Sequence, residues 1–303
     1  MSLYLKYRPN SFDEVYGNEN ICETIQSIIK KERKPHAYLF HGPTGCGKTT
    51  LGRILADKLG CKGNDLREID SADFRGIDTV REIRKQAQFK PLESPCRVWL
   101  IDECHKLTND AQNALLKALE DTPSHVYFIL CTTDPQKLIV TIKGRCSQFQ
   151  VHPLSDRQMF KLLHHVVKAE EDTLHKVVYD QIIQDSLGHP RNALQILEQV
   201  LNVESEKRLM VAKRSAEIQS QSIELCRALI DTSGWKKVAN ILEGLKNEDS
   251  ENIRRAILGY CQTILLKGIN NQAGLVMEYM IEPFYNTGYP GLVFACYSIK
   301  CGD

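Results

Sequence analysis

His41-Gly42-Pro43-Thr44-Gly45-Cys46-Gly47-Lys48-Thr49-Thr50 is the stretch on which the reading of this chain turns. It matches G-x-x-x-x-G-K-[ST] at every fixed position. An apolar run, Ala37-Tyr38-Leu39-Phe40, stands before it as a buried strand, and Leu51, Ile54, Leu55 and Leu59 follow on one helical face. Strand, glycine-rich loop and helix form the context that the motif requires. Gly42, Gly45 and Gly47 permit a tight turn, so that the loop from Gly42 to Thr50, Pro43 within it, turns successive N–H groups and the helix N-terminus toward a phosphate chain. Lys48 brings positive charge to the β- and γ-phosphates, and the Thr49 hydroxyl is placed for Mg²⁺. The stretch therefore reads as a nucleotide-binding loop.

Outward from this loop, strands and helices alternate. Residues 18–33 carry Ile21, Ile25, Ile28 and Ile29 at helical spacing, with Asn18 as the cap. The segment before them, with Pro9 and Gly17, has no clean period and reads as extended chain and turn. After the loop come a strand at 66–70, a helix at 76–89, a strand at 98–101, a helix at 108–121, and strands at 126–131 and 148–151. This alternation predicts an α/β fold: an open, mostly parallel sheet with helices on both faces and the ligand at the carboxyl ends of the strands.

A second chemical signal lies in Val98-Trp99-Leu100-Ile101-Asp102-Glu103-Cys104-His105. A buried strand here delivers two carboxylates to its carboxyl end. Asp102 is suited to hold the Mg²⁺ shared with Thr49, and Glu103 to polarise an attacking water, so hydrolysis is expected in addition to binding.

Composition agrees with a globular protein of two or three domains: 303 residues, 42% apolar and 25% charged. Formal net charge is +1, so nucleic-acid contact would have to come from local patches. The eleven cysteines form no C-x-x-C pair, and several sit in apolar runs, which fits a reducing compartment and no structural zinc. With no apolar stretch near membrane-spanning length and no leader pattern, the expectation is a soluble, cytoplasmic protein, with a nuclear or virus-encoded setting left open.

Several further motifs occur in a fixed order: Lys6-Tyr7-Arg8-Pro9 with Phe12 to Gly17; Arg75-Gly76-Ile77-Asp78-Thr79-Val80-Arg81; Asp110-Ala111-Gln112-Asn113-Ala114-Leu115; Thr132-Thr133-Asp134-Pro135-Gln136-Lys137-Leu138; and Gly144-Arg145-Cys146. With the phosphate loop and the Asp-Glu pair, they make residues 1 to about 200 resemble the AAA+ ATPase subunits of sliding-clamp loaders. Both the bacterial DNA polymerase III γ/τ type and the small subunits of replication factor C share them.

The resemblance implies roles residue by residue. ATP and Mg²⁺ would be the cofactors, with Glu103, Lys48, Thr133 and Arg145 catalytic, and Thr49 and Asp102 on the metal. Thr133, with Thr132 as the alternative, matches the polar sensor-1 position near the γ-phosphate. Arg145 matches an arginine finger offered to the neighbouring subunit, although Gly144 stands where the family usually has serine. Tyr7, Arg8, Pro9 and Val15 match the segment around the adenine; the plainer alternative is an arm that only covers the core. Arg191, in Gly188-His189-Pro190-Arg191, resembles the sensor-2 arginine. Partners would be a sliding clamp, the phosphate backbone of primer–template DNA, and other subunits in a pentameric ring, with no membrane. The helix starts at Arg75 to Arg81 and Thr108 to Asp110 would track DNA through Arg81, Arg84 or Lys85, unless these form an ordinary solvated face. Phe89 would meet the clamp's hydrophobic pocket, unless it packs inward.

Two departures stand out. Only Gly60-Cys61-Lys62-Gly63-Asn64-Asp65 separates Leu59 from Leu66, where γ/τ subunits carry a four-cysteine zinc module. The τ tail is also expected to be absent. Residues 1–152 are thus expected to form the AAA+ nucleotide-binding domain, 153–205 a helical lid begun by the Ser155 cap, and 206–303 an all-helical collar. Its breaks would fall at Ser233-Gly234, Gly268 to Asn271 and Pro290, and its stripe Ile253, Ile257, Leu258 and Cys261 would be bundle core or subunit contact. Two functional readings follow: an ATP-driven subunit that loads a clamp onto DNA in replication, or an AAA+ scaffold that binds ATP and partners without significant turnover. A GTPase would need an Asn-Lys-x-Asp motif and a helicase a second core, and neither is evident.

Overall fold

The computed structural model describes residues 1–302 except 72, 75, 232, 233, 247, 266, 267, 285 and 286, with side chains described outside 213–220 and 263. Arg75 and Ser233, singled out above, lie outside the described residues. The chain divides into two compact units, Met1–Val203 and Glu204–Asp303.

In the first unit the elements run α1 (Leu3–Lys6), α2 (Glu19–Ile29), β1 (Ala37–His41), α3 (Lys48–Lys58), β2 (Leu66–Asp70), α4 (Ile77–Ala87), β3 (Arg97–Asp102), α5 (Asn109–Glu120), β4 (Val126–Thr132), α6 (Val140–Arg145), β5 (Ser147–Gln150), α7 (Asp156–Ala169), α8 (Lys176–Ser186) and α9 (Pro190–Leu201). The sheet is parallel, in the order β2-β3-β4-β1-β5. Successive side chains of a strand point to opposite faces, and here both faces are covered. Tyr38 and Phe40 of β1, Val98 and Leu100 of β3, and Ile129 and Cys131 of β4 pack with Ile25 of α2 and Leu51, Ile54 and Leu55 of α3. Leu39, Trp99, Ile101, Phe128 and Leu130 face the other way, onto Val80 and Ile83 of α4 and Ala111 and Leu115 of α5. That double burial is why these strands read as unbroken apolar runs.

The N-terminal segment differs from its sequence reading. It contains α1 and a 3₁₀ turn at Phe12–Glu14, each too short to display a period. Asn18 occupies the N-cap position of α2 in a left-handed conformation, φ 56°, yet its side chain caps nothing. Its amide instead exchanges two hydrogen bonds with the backbone of His152, at 2.8 and 3.1 Å, tying α2 to the chain after β5. Ser155 does cap α7: its Oγ accepts from Gln158 N, and Ser155 N donates to Gln158 Oε1 at 3.0 Å, a capping box.

The second unit is helical: α10 (Arg208–Ile230), α11 (Trp235–Gly244), α12 (Ser250–Leu265), α13 (Asn271–Met280) and α14 (Gly288–Cys301). Ile253, Ile257 and Cys261 are fully buried with Leu225, Leu229, Val276, Met280 and Leu292, and Leu258 packs against them. This stripe is therefore core of its own unit. Helix α14 starts before Pro290 because proline is tolerated in a first turn, where its missing N–H costs no bond. No helix among the described residues is long and apolar enough to cross a membrane.

Candidate functional site

The phosphate loop leaves β1 at His41 and turns over the carboxyl ends of β3 and β4. Gly42 N donates to the carbonyl of Thr132 at 3.2 Å, at the end of the neighbouring strand. At Gly42 φ is +149°, and a Cβ would stand 2.1 Å from the carbonyl oxygen of Val151, so only glycine passes this point. Gly47, φ +95°, then serves as N-cap of α3, whose first turn aims free N–H groups into a cleft.

Lys48 is 6% exposed, and its Nζ donates to the carbonyls of Gly42 (3.0 Å) and Pro43 (2.9 Å). Burial pushes its pKa down, opposed by the nearby carboxylates of Glu103 and Asp102. A phosphate oxygen here would supply the counter-charge that two neutral carbonyls do not. The Thr49 hydroxyl donates to Asp102 Oδ2 at 2.6 Å, and Asp102 Oδ1 accepts from Glu103 N at 2.9 Å. Two hard oxygen donors thus converge from α3 and β3, the chemistry Mg²⁺ selects.

Glu103 sits in the left-handed region, φ 46° and ψ 40°, which a non-glycine residue adopts at a cost of order 1–3 kcal/mol. Its Oε2 accepts from the Thr133 hydroxyl at 3.0 Å and lies 3.2 Å from His105 Nδ1. His105 Nδ1 is also 3.0 Å from Thr132 Oγ1, which accepts from Asp134 N. Burial lowers the His105 pKa, so the ring is neutral at pH 7, and the adjacent carboxylate favours the tautomer with hydrogen on Nδ1. Glu103 is thereby held by two donors, one just beyond β4 and one from its own turn.

The cleft, about 360 Å³, is lined by Tyr7, Arg8, Pro9, Val15, Thr44 through Thr50, Asp102, Glu103 and Arg191, among others. The lining also includes the apolar side chains of Tyr16, Leu154, Leu162 and Leu194, which the sequence reading did not select. The N-terminal arm is fastened by Tyr7, whose hydroxyl donates to Glu170 Oε1 at 2.5 Å, and by Lys6, which donates to the same oxygen at 2.7 Å. Arg191, in the first turn of α9, lies 5.9 Å from the Tyr4 ring centre. Next to it, His189 Nδ1 is 3.3 Å from Cys46 Sγ, linking the α9 start to the phosphate loop. Burial lowers the His189 pKa and raises that of Cys46, so both groups favour their neutral forms.

Gly42 and Pro43 contribute carbonyls to Lys48 without lining the cleft, and Thr133 stands behind Glu103. Arg145 is not brought to this cleft. It ends α6, pairs with Glu120 of α5, and donates to the carbonyl of Thr141 at 3.2 Å. Phe89 is 60% exposed just beyond α4, so it does not pack inward. Arg81, Arg84 and Lys85 are exposed on α4, and Arg81 pairs with Asp78 at 3.0 Å.

A family model described as DNA polymerase III, delta subunit, matches residues 64–155. Over 224 residues the chain is 37% identical to the DNA polymerase III subunit gamma/tau of Mycobacterium tuberculosis, covering 66% of this chain and 39% of that protein. With the tau subunit of Escherichia coli it shares 32% identity over 263 residues, 78% of this chain and 41% of the relative. The chain thus spans about two-fifths of the length of these curated relatives. Among solved structures, the RuvB Holliday junction branch migration motor of Thermotoga maritima matches with a TM-score of 0.62 at 19% identity, covering 78% of this chain and 85% of that one. At that identity the likeness concerns the fold. Over the stretch shared with those relatives the chain is similar to the gamma/tau subunits of DNA polymerase III, and its fold is the AAA+ fold.

Proposed function

We propose that this chain is an ATP-hydrolysing clamp-loader subunit, which assembles with other subunits in a pentameric ring and places a sliding clamp on primer–template DNA. The observation that carries the reading is the convergence of Lys48, the Thr49–Asp102 pair and Glu103 at the mouth of one cleft, in a chain with gamma/tau kinship. Mg²⁺, when bound, would be held by Thr49 and Asp102 and would neutralise charge on the phosphates.

The residues divide the work as follows. Tyr7, Arg8, Pro9 and Val15 enclose the adenine end, and the loop N–H groups from Thr44 to Thr50 bind phosphates, with Gly42 and Pro43 shaping the turn. Lys48 neutralises the β/γ oxygens, and Arg191 reaches in from the start of α9. Glu103 orients and deprotonates the water once it leaves Thr133 and His105, whose bonds hold it back. Thr133 is then free to sense the γ-phosphate. Arg145 lies away from its own cleft and serves a neighbour's. The exposed cations Arg81, Arg84 and Lys85 of α4 contact DNA phosphates without reading bases, and Phe89 enters an apolar pocket of the clamp.

The test is ATP turnover by the assembled complex with and without clamp and primed DNA. Both should stimulate the wild type, and Lys48→Ala should lose tight ATP binding and all stimulated turnover. Equal turnover by Lys48→Ala complexes would defeat the reading.

A further inference from the structure

Between α3 and β2 the chain makes a short connector, residues 60–65, that lies under the loop joining α4 to β3. At its end Asp65, fully buried, accepts hydrogen bonds from three successive amides: Leu92 (2.8 Å), Glu93 (2.8 Å) and Ser94 (3.0 Å). Arg97, 6% exposed, meets the same carboxylate at 3.4 Å. The guanidinium also donates to three carbonyls in the last turn of α4 and just beyond it: Gln86 (2.8 Å), Phe89 (3.3 Å) and Lys90 (3.2 Å). Ser94 Oγ adds a stitch, accepting from Lys62 N at 2.8 Å. Burial pushes the Asp65 pKa up, but the amides of Glu93, Leu92 and Ser94 and then Arg97 outweigh it, leaving it below the ordinary carboxylate value.

This hardware is poorly explained by stability. Burying an Asp–Arg pair costs desolvation that apolar residues of the same volume would avoid, and Arg97 Nε is left buried without a partner. What the pair does is fix backbone: the acid takes the donors of 92–94 and the base takes the acceptors of 86–90. The two large apolar side chains between them, Phe89 and Leu92, remain 60% and 71% exposed. An apolar pair on solvent carried by an immobilised loop is a preorganised docking element, because the entropy of ordering the loop has been lost before binding.

We propose that Asp65 and Arg97 are positioning residues that preform the Phe89–Leu92 loop for insertion into an apolar pocket of the sliding clamp. The inference rests on the reading of Phe89 as a clamp contact, and its test separates the two. Clamp affinity is measured for complexes carrying Arg97→Lys, Asp65→Asn, Phe89→Ala and the double variant Arg97→Lys/Phe89→Ala. The probe is the clamp from the same source, with ATP affinity and thermal midpoint recorded alongside. Arg97→Lys keeps the charge beside Asp65 but cannot bridge three carbonyls. It should weaken clamp binding about tenfold while ATP affinity stays within about twofold. Asp65→Asn should do the same and speed amide exchange at Leu92, Glu93 and Ser94. If Asp65→Asn does not fold, Arg97→Lys decides alone. In the Phe89→Ala background, Arg97→Lys should cause little further loss, because it acts through the anchor already removed. Full additivity, or Arg97→Lys without effect where Phe89→Ala weakens binding, overturns the positioning role. Phe89→Ala without effect overturns the docking reading itself, and the positioning role with it.

Discussion

Arg145 gives the sharpest prediction, because the structure places it in a pair that can be perturbed from either side. It is bonded to Glu120, with the two side chains 38% and 41% exposed. An ion pair this open contributes about 0.2–1 kcal/mol after screening, so leaving it slows an excursion to a neighbouring site by no more than about fivefold. An arginine finger, in contrast, is worth about 10³–10⁵ in rate. Glu120→Gln should therefore leave turnover unchanged or raise it by up to about fivefold, whereas Arg145→Ala should lower it by several orders of magnitude with ATP binding retained. A merely structural pair would make both substitutions act in the same direction. The assay is steady-state ATP hydrolysis by assembled complexes, followed by mixing Arg145→Ala subunits with Lys48→Ala subunits. Each lacks what the other supplies, so activity should return at interfaces where an intact Arg145 faces an intact Lys48 site. Absence of rescue in a mixture shown to co-assemble would refute action between subunits.

Two smaller predictions follow from local geometry. The Asp65 carboxyl titrates below its unfolded value of 3.8, so its stabilising contribution is complete above that pH and is lost as pH falls through the lower folded value. The gap in urea midpoint between wild type and Asp65→Asn should hold from pH 7 to 5 and narrow below about 4; a gap as wide at pH 3 would contradict the assignment. Gly144 lies in α6 with nothing within 4 Å of an added Cβ. Gly144→Ala should stabilise by about 0.4–1 kcal/mol in equilibrium unfolding, and a loss of stability would mean that α6 needs the glycine.

How far the sequence reached depended on the range of the interaction. β1, β3 and β4 were legible because burial on both faces makes every residue apolar, and the phosphate loop because its ligand groups are contiguous. Helix α8 is harder to read, although Val178, Tyr179, Ile182 and Ile183 recur at helical spacing, because its N-cap is His175, which caps nothing, and the cap types Asp172 and Thr173 stand three and two residues ahead of that position. Helix α6 has six residues, too few for a period. The bond from Thr133 to Glu103 needed the strand order: β3 lies beside β4, which brings together residues thirty positions apart. The Arg145–Glu120 pair and the Asp65–Arg97 clasp are likewise products of tertiary approach, and no local pattern announces them.

Whether the cleft turns over its nucleotide or only holds it rests on Glu103. Replacing its carboxylate by an isosteric amide keeps the hydrogen-bonding shape toward Thr133 but removes the base. The direct measurement is ATP affinity and single-turnover hydrolysis by Glu103→Gln complexes in the presence of clamp and primed DNA. The account predicts ATP affinity within about twofold of wild type and hydrolysis slowed at least about a hundredfold, in the range of a lost general base. Hydrolysis by Glu103→Gln at the wild-type rate would contradict it, because a group other than Glu103 would then activate the water; an ATP-binding scaffold is what a wild type that binds ATP without turnover would leave.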